Sequence, residues 1–94
     1  MSSYIIVELN VLDTEKFAQY SQLAAPTVAK FGGKFIAKGA AQVLHGNASF
    51  SNKAVIEFAT EQQAQDWYNC EEYQALTALR NQAIDSHFQL VAGV

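Results

Sequence analysis

The sequence predicts an α+β domain, because short segments of alternating apolar residues and longer segments of helical periodicity succeed one another along its 94 residues. Half of the residues are hydrophobic and 16% are charged, a composition typical of globular proteins. A chain of this length is expected to form one domain over residues 1–94. Such a small domain buries only about two-thirds of its unfolded surface, so a further interface would stabilise it.

Four segments have the period-2 pattern of β-strands. In the first, residues 4–11, the odd-numbered positions are apolar and the even-numbered positions mix apolar with polar residues. The other strands are expected at residues 34–44, 53–59 and 87–94. Gly39 lies inside the second of these strands and indicates a bulge or bend there.

Two helical regions separate the strands. The first extends from the N-cap candidate Asp13 to the pair Gly32-Gly33, where one glycine supplies a left-handed cap. The second begins at Thr60 and its apolar positions continue to Ala83, but acidic residues interrupt the apolar stripe. We therefore expect two helical segments that meet near Cys70.

The resulting order is β-α-β-β-α-β. Right-handed crossovers in both halves give an antiparallel sheet of order 4-1-3-2, the ferredoxin-like sandwich. Helices cover only one face of such a sheet. The other face is expected to carry Tyr4, Ile6, Ile36, Val55 and Val91. This is too much apolar surface to leave exposed, so we expect a homodimer in which the sheet faces cover each other.

Charge and motifs exclude several classes of function. A net charge of −3 and a pI near 5.1 argue against a nucleic-acid-binding protein. No apolar stretch approaches the ~20 residues of a membrane helix, and no signal peptide is visible, so the expected location is the cytoplasm. No metal-ligand motif, P-loop or dinucleotide-binding glycine motif is present, so neither a metal nor a cofactor is predicted.

Candidate catalytic residues are expected on the uncovered face of the sheet. Glu8 is central in the first strand and Glu57 in the third, and directly opposed they would lie about 5 Å apart at Cβ. One carboxyl would then keep its proton towards neutral pH and act as a general acid or base. His87 from the fourth strand, with Lys38 and Lys34 from the second, would reach the same cavity between the two sheets of the dimer.

A structural alternative is that the two carboxylates pair with lysines or lie at opposite ends of the sheet. Tyr4 and Tyr20 are candidate ligand contacts, the latter because its hydroxyl could point into a pocket at the end of the sheet. Arg80 interrupts an apolar helical stripe and is expected to pair with a carboxylate such as Glu72.

Residues 31–35, 55–60 and 67–76 resemble the uncharacterised domain-of-unknown-function family 1330. The run Trp-Tyr-Asn-Cys-Glu-Glu-Tyr-Gln-Ala-Leu is the most specific part, and the C-terminal residues 90–94 also fit, so the resemblance covers essentially the whole chain. The family belongs to the dimeric α-β barrel superfamily. The resemblance therefore implies small cytoplasmic dimers whose two sheets enclose a cavity.

The resemblance implies no single reaction. Relatives in the superfamily suggest a cofactor-independent enzyme that acts on a small organic molecule in the dimer cavity. The alternative is a non-catalytic small-ligand-binding or stress-response module. The chain has Lys38 where the family usually has arginine, and Cys70-Glu71 where it has serine followed by proline. Because lysine binds as a point charge, this departure argues against a bidentate anion clamp.

Overall fold

The computed structural model describes residues 1–94 and contains four strands and four helical segments. They are β1 Ser3–Val11, α1 Thr14–Lys30, β2 Lys34–Ala40, β3 Asn52–Phe58, α2 Glu61–Asn69, α3 Glu71–Gln74, α4 Thr77–Ala83 and β4 Ile84–Ala92. The antiparallel sheet has the order β2-β3-β1-β4. This confirms the predicted order 4-1-3-2 and the ferredoxin-like fold. None of the helices has both the length and the apolar character needed to cross a membrane.

The helices begin and end at the residues that the sequence indicates. The Asp13 side chain accepts the N–H of Lys16 at 3.0 Å, and Thr60 Oγ1 accepts the N–H of Gln63 at 3.1 Å. Gly32 follows α1 with a φ of 75°, a left-handed conformation that glycine adopts without strain. The second helical region breaks at Cys70 as predicted, and it breaks again between α3 and α4.

β1 and β3 differ from the predicted limits by one residue at most, but β2 and β4 differ by more. β2 ends at Ala40 instead of residue 44, since its last ladder partner in β3 is Asn52; the Ala41 N–H still donates to Ser51 O at 2.9 Å. β4 begins at Ile84 instead of residue 87, since Ile84 pairs with Val11 at the far end of β1. The longer β4 therefore pairs with the whole length of β1.

The core lies between the helices and one face of the sheet. Its largest fully buried side chains are Trp67, Tyr73, Phe58, Ile56 and Val28. Trp67 is 1% exposed, and its ring centroid lies 4.5 Å from that of Tyr73 and 5.7 Å from that of Phe58. Through these aromatic contacts, α2 and α3 pack against each other and against the sheet.

A β-bulge in β2 changes the face that its later residues occupy. The register skips Ile36 between Phe35 and Ala37, whose partners in β3 are consecutive. The extra residue reverses the alternation of side chains beyond it. Lys38 therefore lies on the helix side of the sheet. The sequence predicted a bulge or bend at Gly39. The register irregularity occurs at Ile36, and Gly39 has a φ of 146°, a conformation that favours glycine.

The side of the sheet that faces away from the helices is called the open face below. Its side chains include Tyr4, Ile6, Glu8, Lys34, Ala37, Lys53, Val55, Glu57, His87, Gln89 and Val91. The register places Ile6 beside Val55 near the centre of this face, with one row of charged residues towards each end. No element of the chain covers this apolar band, and Val91 is 49% exposed.

Candidate functional site

Glu8 and Glu57 lie on the open face but in separate rows. The register of β1 and β3 pairs Glu8 with Lys53 and Glu57 with Tyr4. The two carboxylates are therefore four positions apart, about 13 Å at ~3.3 Å per residue. The predicted pair of adjacent carboxylates is wrong, because the register aligns each acid with a different partner. The arrangement is the structural alternative, in which the two carboxylates lie towards opposite ends of the sheet and Glu8 pairs with a lysine.

The row that contains Glu8 is an ion-pair network. Lys53 Nζ lies 2.6 Å from Glu8 Oε2, and His87 Nδ1 lies 4.0 Å from Glu8 Oε1. The hydrogen bond from Lys53 lowers the pKa of Glu8 below its ordinary value, and burial opposes this only in part. Glu8 is therefore ionised at neutral pH, which is the wrong state for a general acid.

The row that contains Glu57 lies towards the opposite end of the open face. The Tyr4 hydroxyl donates to Glu57 Oε2 at 3.3 Å, and Lys34 lies opposite Glu57 in the register. Neither Glu8 nor Glu57 lines a cavity of the chain. Glu8 and Glu57 thus lie on the open sheet surface, where the Glu8 side chain is 28% exposed. His87, the third residue predicted to be catalytic, also lines a groove beside β4.

Removing Lys53 is expected to return the pKa of Glu8 towards the ordinary value of about 4.3. Because the folded-state pKa is lowered, the pair stabilises the fold above the unfolded-state pKa. This contribution is lost as the pH falls through the folded-state pKa. A carboxyl-detected NMR titration of Lys53→Met measures the shift, with Lys16→Met as the control. An unchanged titration of Glu8 in Lys53→Met would contradict the assignment of Lys53 as the cause.

A cavity lies between α1 and the sheet, on the opposite side of the sheet from Glu8 and Glu57. Its volume is about 230 Å³, and 13 of its 18 lining residues are hydrophobic. We call it the α1 cavity. Val7, Leu9 and Ile56 form its floor on the sheet, and Ala24 and Val28 contribute from α1. Phe35, Lys38 and Gly39 of β2 form one side of the cavity, and every residue of β2 is exposed.

Tyr20 is the buried polar residue of the α1 cavity. Its hydroxyl lies 2.6 Å from that of Tyr73, and burial raises the pKa values of both phenols. Tyr20 therefore stays neutral at physiological pH. From the sequence we expected its hydroxyl in a pocket at the end of the sheet; it is instead buried against the Tyr73 hydroxyl of α3.

Lys38 also lines the α1 cavity, so it contributes to a different site from the predicted one. The bulge at Ile36 moves it off the open face, and it no longer shares a face with Glu57. Its Nζ lies 5.3 Å from the ring centroid of Phe35, which lines the same cavity. Lys38 thus places a cationic side chain at the β2 side of a mainly apolar chamber, whose other polar lining residues, besides Tyr20, are Ser21, Asn52 and Lys53.

A second concave surface lies between α2, α4 and β4. It is an open groove of about 570 Å³, lined by Tyr68, Arg80, Phe88 and several amide and hydroxyl side chains. The predicted ion pair between Arg80 and Glu72 is wrong, since Glu72 pairs with Lys30. Arg80 Nη1 instead donates to Tyr68 Oη at 3.0 Å and Tyr73 Oη at 3.4 Å. Its place in an apolar stripe was the sequence signal for this groove.

Metal-ligating residues are dispersed. The structure has no group of three or more His, Cys, Asp or Glu side chains that could hold a metal ion. His45 is exposed in the loop between β2 and β3. Cys70 caps α3, where its Sγ accepts the N–H of Tyr73 at 3.4 Å. This contact gives Cys70 a role at the start of α3.

Solved structures with the same architecture cover nearly the whole chain. A protein of unknown function, RPA0582 from Rhodopseudomonas palustris, is 15% identical with a TM-score of 0.81, over 99% of this chain and 82% of that one. SnoaB, a cofactor-independent oxygenase from Streptomyces nogalater, is 10% identical with a TM-score of 0.72, over 99% of this chain and 93% of that one. A dimeric ferredoxin-like protein of unknown function from Thermobifida fusca is 15% identical with a TM-score of 0.57, over 99% and 92% of the two chains.

These likenesses establish the fold alone, because the sequence identities are low. The sequence matches no protein of curated function. A match to a family described as "Domain of unknown function (DUF1330)" spans residues 2–94. It includes the segments on which the resemblance was based. The chain therefore belongs to the DUF1330 family.

Proposed function

We propose that this protein binds a small, mainly apolar organic molecule in the α1 cavity. The observation that carries the proposal is a chamber of about 230 Å³ with 13 hydrophobic residues among the 18 that line it. An apolar cavity of about 150 Å³ is sufficient to bind benzene. The α1 cavity therefore accommodates a molecule of one or two rings, smaller than the ligands of typical drug-sized pockets.

Two of the polar side chains that line the cavity favour particular polar groups on such a molecule. The Tyr20 hydroxyl is neutral and can share a hydrogen bond with one ligand oxygen, while Lys38 favours an oxygen with partial or full negative charge. A second polar group on the apolar floor would be buried without a partner, which is unfavourable. The ligand class that fits is an aromatic or aliphatic ring with one hydroxyl or carbonyl group.

Filling the cavity is expected to weaken binding by at least about tenfold, a change of ~1.4 kcal/mol. Ala24 is 5% exposed and lines the cavity, so Ala24→Leu places three more carbons inside it. NMR titration with 1-naphthol and naphthalene measures the affinity and identifies the residues that shift. Ala29→Leu makes the same change at an exposed position of α1 and serves as the control.

Both compounds are expected to shift the NMR resonances of Tyr20, Val28 and Phe35. 1-Naphthol is expected to bind more tightly than naphthalene. Ala24→Leu should lose this binding, and Ala29→Leu should keep it. Shifts confined to other surfaces, or equal affinities of Ala24→Leu and Ala29→Leu, would overturn the proposal. Thermal melting of both variants shows whether the leucine at residue 24 disturbs the fold itself.

We further propose that two copies associate through their open faces. Support comes from the uncovered apolar band of Ile6 and Val55, with Val91 half exposed at its edge. The similar Thermobifida fusca protein is described as dimeric and ferredoxin-like. Association on this face would leave the α1 cavity accessible, because that cavity lies on the other side of the sheet.

Catalysis is the second candidate function. The similarity of fold to SnoaB, a cofactor-independent oxygenase, favours it. The α1 cavity holds no carboxylate, and its buried phenol has a raised pKa. Any reaction there would depend on Tyr20 as a hydrogen-bond donor and on Lys38 as a cation. Turnover of 1-naphthol in air, abolished by Ala24→Leu, would favour an enzyme over a binding protein.

A further inference from the structure

Arg80 is a half-buried cation with no carboxylate partner. None of the ion pairs of the chain includes it. Its hydrogen bonds use Nε, which donates to Asn81 Oδ1 at 3.2 Å, and Nη1, which donates to two phenol oxygens. A guanidinium carries five N–H donors, so the two on Nη2 remain without a partner in the protein.

The surroundings hold the guanidinium in place without neutralising it. Its central carbon lies 5.1 Å from the ring centroid of Phe88 and 5.9 Å from that of Tyr68. Both rings are within the range of a cation–π contact. Aromatic faces and phenols stabilise a positive charge, but they leave the net charge intact. The groove therefore presents a fixed, oriented cation.

The remaining walls of the groove suit a small amphipathic anion. Ile5 and Leu90 line it together with Phe88 and offer apolar contact. Gln65 and Asn69 from α2 and Ser86 from β4 supply uncharged hydrogen-bonding groups. No acidic side chain lines the groove, so nothing in its walls competes with an anionic ligand for Arg80.

From this arrangement we infer that the groove between α2, α4 and β4 binds a small organic carboxylate, whose oxygen accepts hydrogen bonds from Arg80 Nη2 while its apolar body rests on Phe88. Charge-assisted hydrogen bonds from a guanidinium to a carboxylate are among the stronger ones in proteins. The groove and the α1 cavity share only one lining residue, Phe88, so they are separate sites.

A hydrogen-bonded chain joins the two sites. Tyr20, which lines the α1 cavity, contacts Tyr73, and Tyr73 accepts a hydrogen bond from Arg80. Arg80 is thus positioned by residues of the core, which keeps its guanidinium ordered before any ligand arrives. Such preorganisation lowers the entropic cost of binding.

The test is an NMR titration of the whole protein with sodium benzoate and with benzamide, which has nearly the same shape but no charge. Benzoate is expected to shift Tyr68, Phe88 and the Arg80 side-chain Nε–H resonance, and to bind at least about tenfold more tightly than benzamide. Its affinity should fall as the salt concentration rises, because the interaction is between charges.

Arg80→Gln is expected to reduce benzoate affinity to that of benzamide, whereas Lys16→Gln, which removes a charge outside the groove, leaves it unchanged. Ala24→Leu should also leave it unchanged, which separates this site from the α1 cavity. If Arg80→Gln does not fold, the affinities of the unaltered protein for benzoate and benzamide still test whether the groove binds a carboxylate. Equal affinities of the two compounds, or benzoate shifts located at Tyr20 and Val28, overturn the inference.

Discussion

Replacing Trp67 with alanine is expected to lower the free energy of unfolding by about 3–5 kcal/mol, the usual cost of removing a large aromatic side chain from a core. Trp67 is 1% exposed and packs against Phe58 and Tyr73. Its loss removes the fully buried contact of α2 with the sheet and α3, and leaves the contacts of Tyr68 with Tyr73 and Phe88. Since small domains have only ~5–15 kcal/mol of stability, the variant should be largely unfolded at moderate urea concentrations.

Urea denaturation followed by far-UV circular dichroism measures this change, because the method does not depend on tryptophan fluorescence. Thr27→Val is the informative comparison. Trp67 Nε1 donates to Thr27 Oγ1 at 3.0 Å, so the valine leaves the buried indole N–H without its partner. A loss of about 1–3 kcal/mol is expected for that variant. A Trp67→Ala variant as stable as Thr27→Val would show that aromatic packing is not the main contribution.

Replacing Ile6 with lysine is expected to convert the proposed dimer into a monomer. Ile6 lies at the centre of the open face beside Val55, and in a face-to-face dimer two copies of the new lysine would be buried against apolar surface. A buried, unpaired ammonium is strongly unfavourable. Multi-angle light scattering at micromolar concentration measures the mass of each species.

Leu23→Lys is the matched control, because Leu23 is 53% exposed on α1, on the helix side of the molecule. It should leave the dimer intact. If the unaltered protein is a monomer at micromolar concentration, the proposed dimer is wrong. If Ile6→Lys stays dimeric, association uses a surface other than the open face.

The two faces of the sheet have different roles in these proposals. The open face carries the ion pair of Glu8 and Lys53 and the apolar band around Ile6, so it is suited to association. The α1 cavity lies on the helix side, and the groove beside β4 spans the edge of the sheet, since His87 and Gln89 line it together with Phe88 and Leu90. Loss of the dimer in Ile6→Lys should therefore leave naphthol binding to the α1 cavity measurable. A monomeric variant that no longer binds would show that the second copy completes the cavity.

Local patterns in the sequence were sufficient to predict the fold. The alternation in residues 4–11, the caps at Asp13 and Thr60 and the glycine pair after α1 each act over a few residues. Once the six elements are in order, the handedness of β-α-β crossovers allows few topologies. The family resemblance likewise depended on contiguous segments, and the match over residues 2–94 confirms it.

The candidate site depended on contacts between residues far apart in the chain. The separation of Glu8 from Glu57 is a matter of strand register, and the register follows from how both strands pack their apolar faces on the core. The bulge at Ile36 then decides that Lys38 faces the helices. Periodicity within one strand carries no information on either of these features.

Arg80, on a helix, also has contacts that its local sequence did not predict. Its position in an apolar stripe was visible in the sequence, but its partners, Tyr68 and Tyr73, are known only once α3 and α4 are folded against α2. The sequence by itself therefore determined which elements form and in what order they pair. The tertiary structure decided which charges meet and where a cavity remains, because both depend on the packing of surfaces distant in the chain.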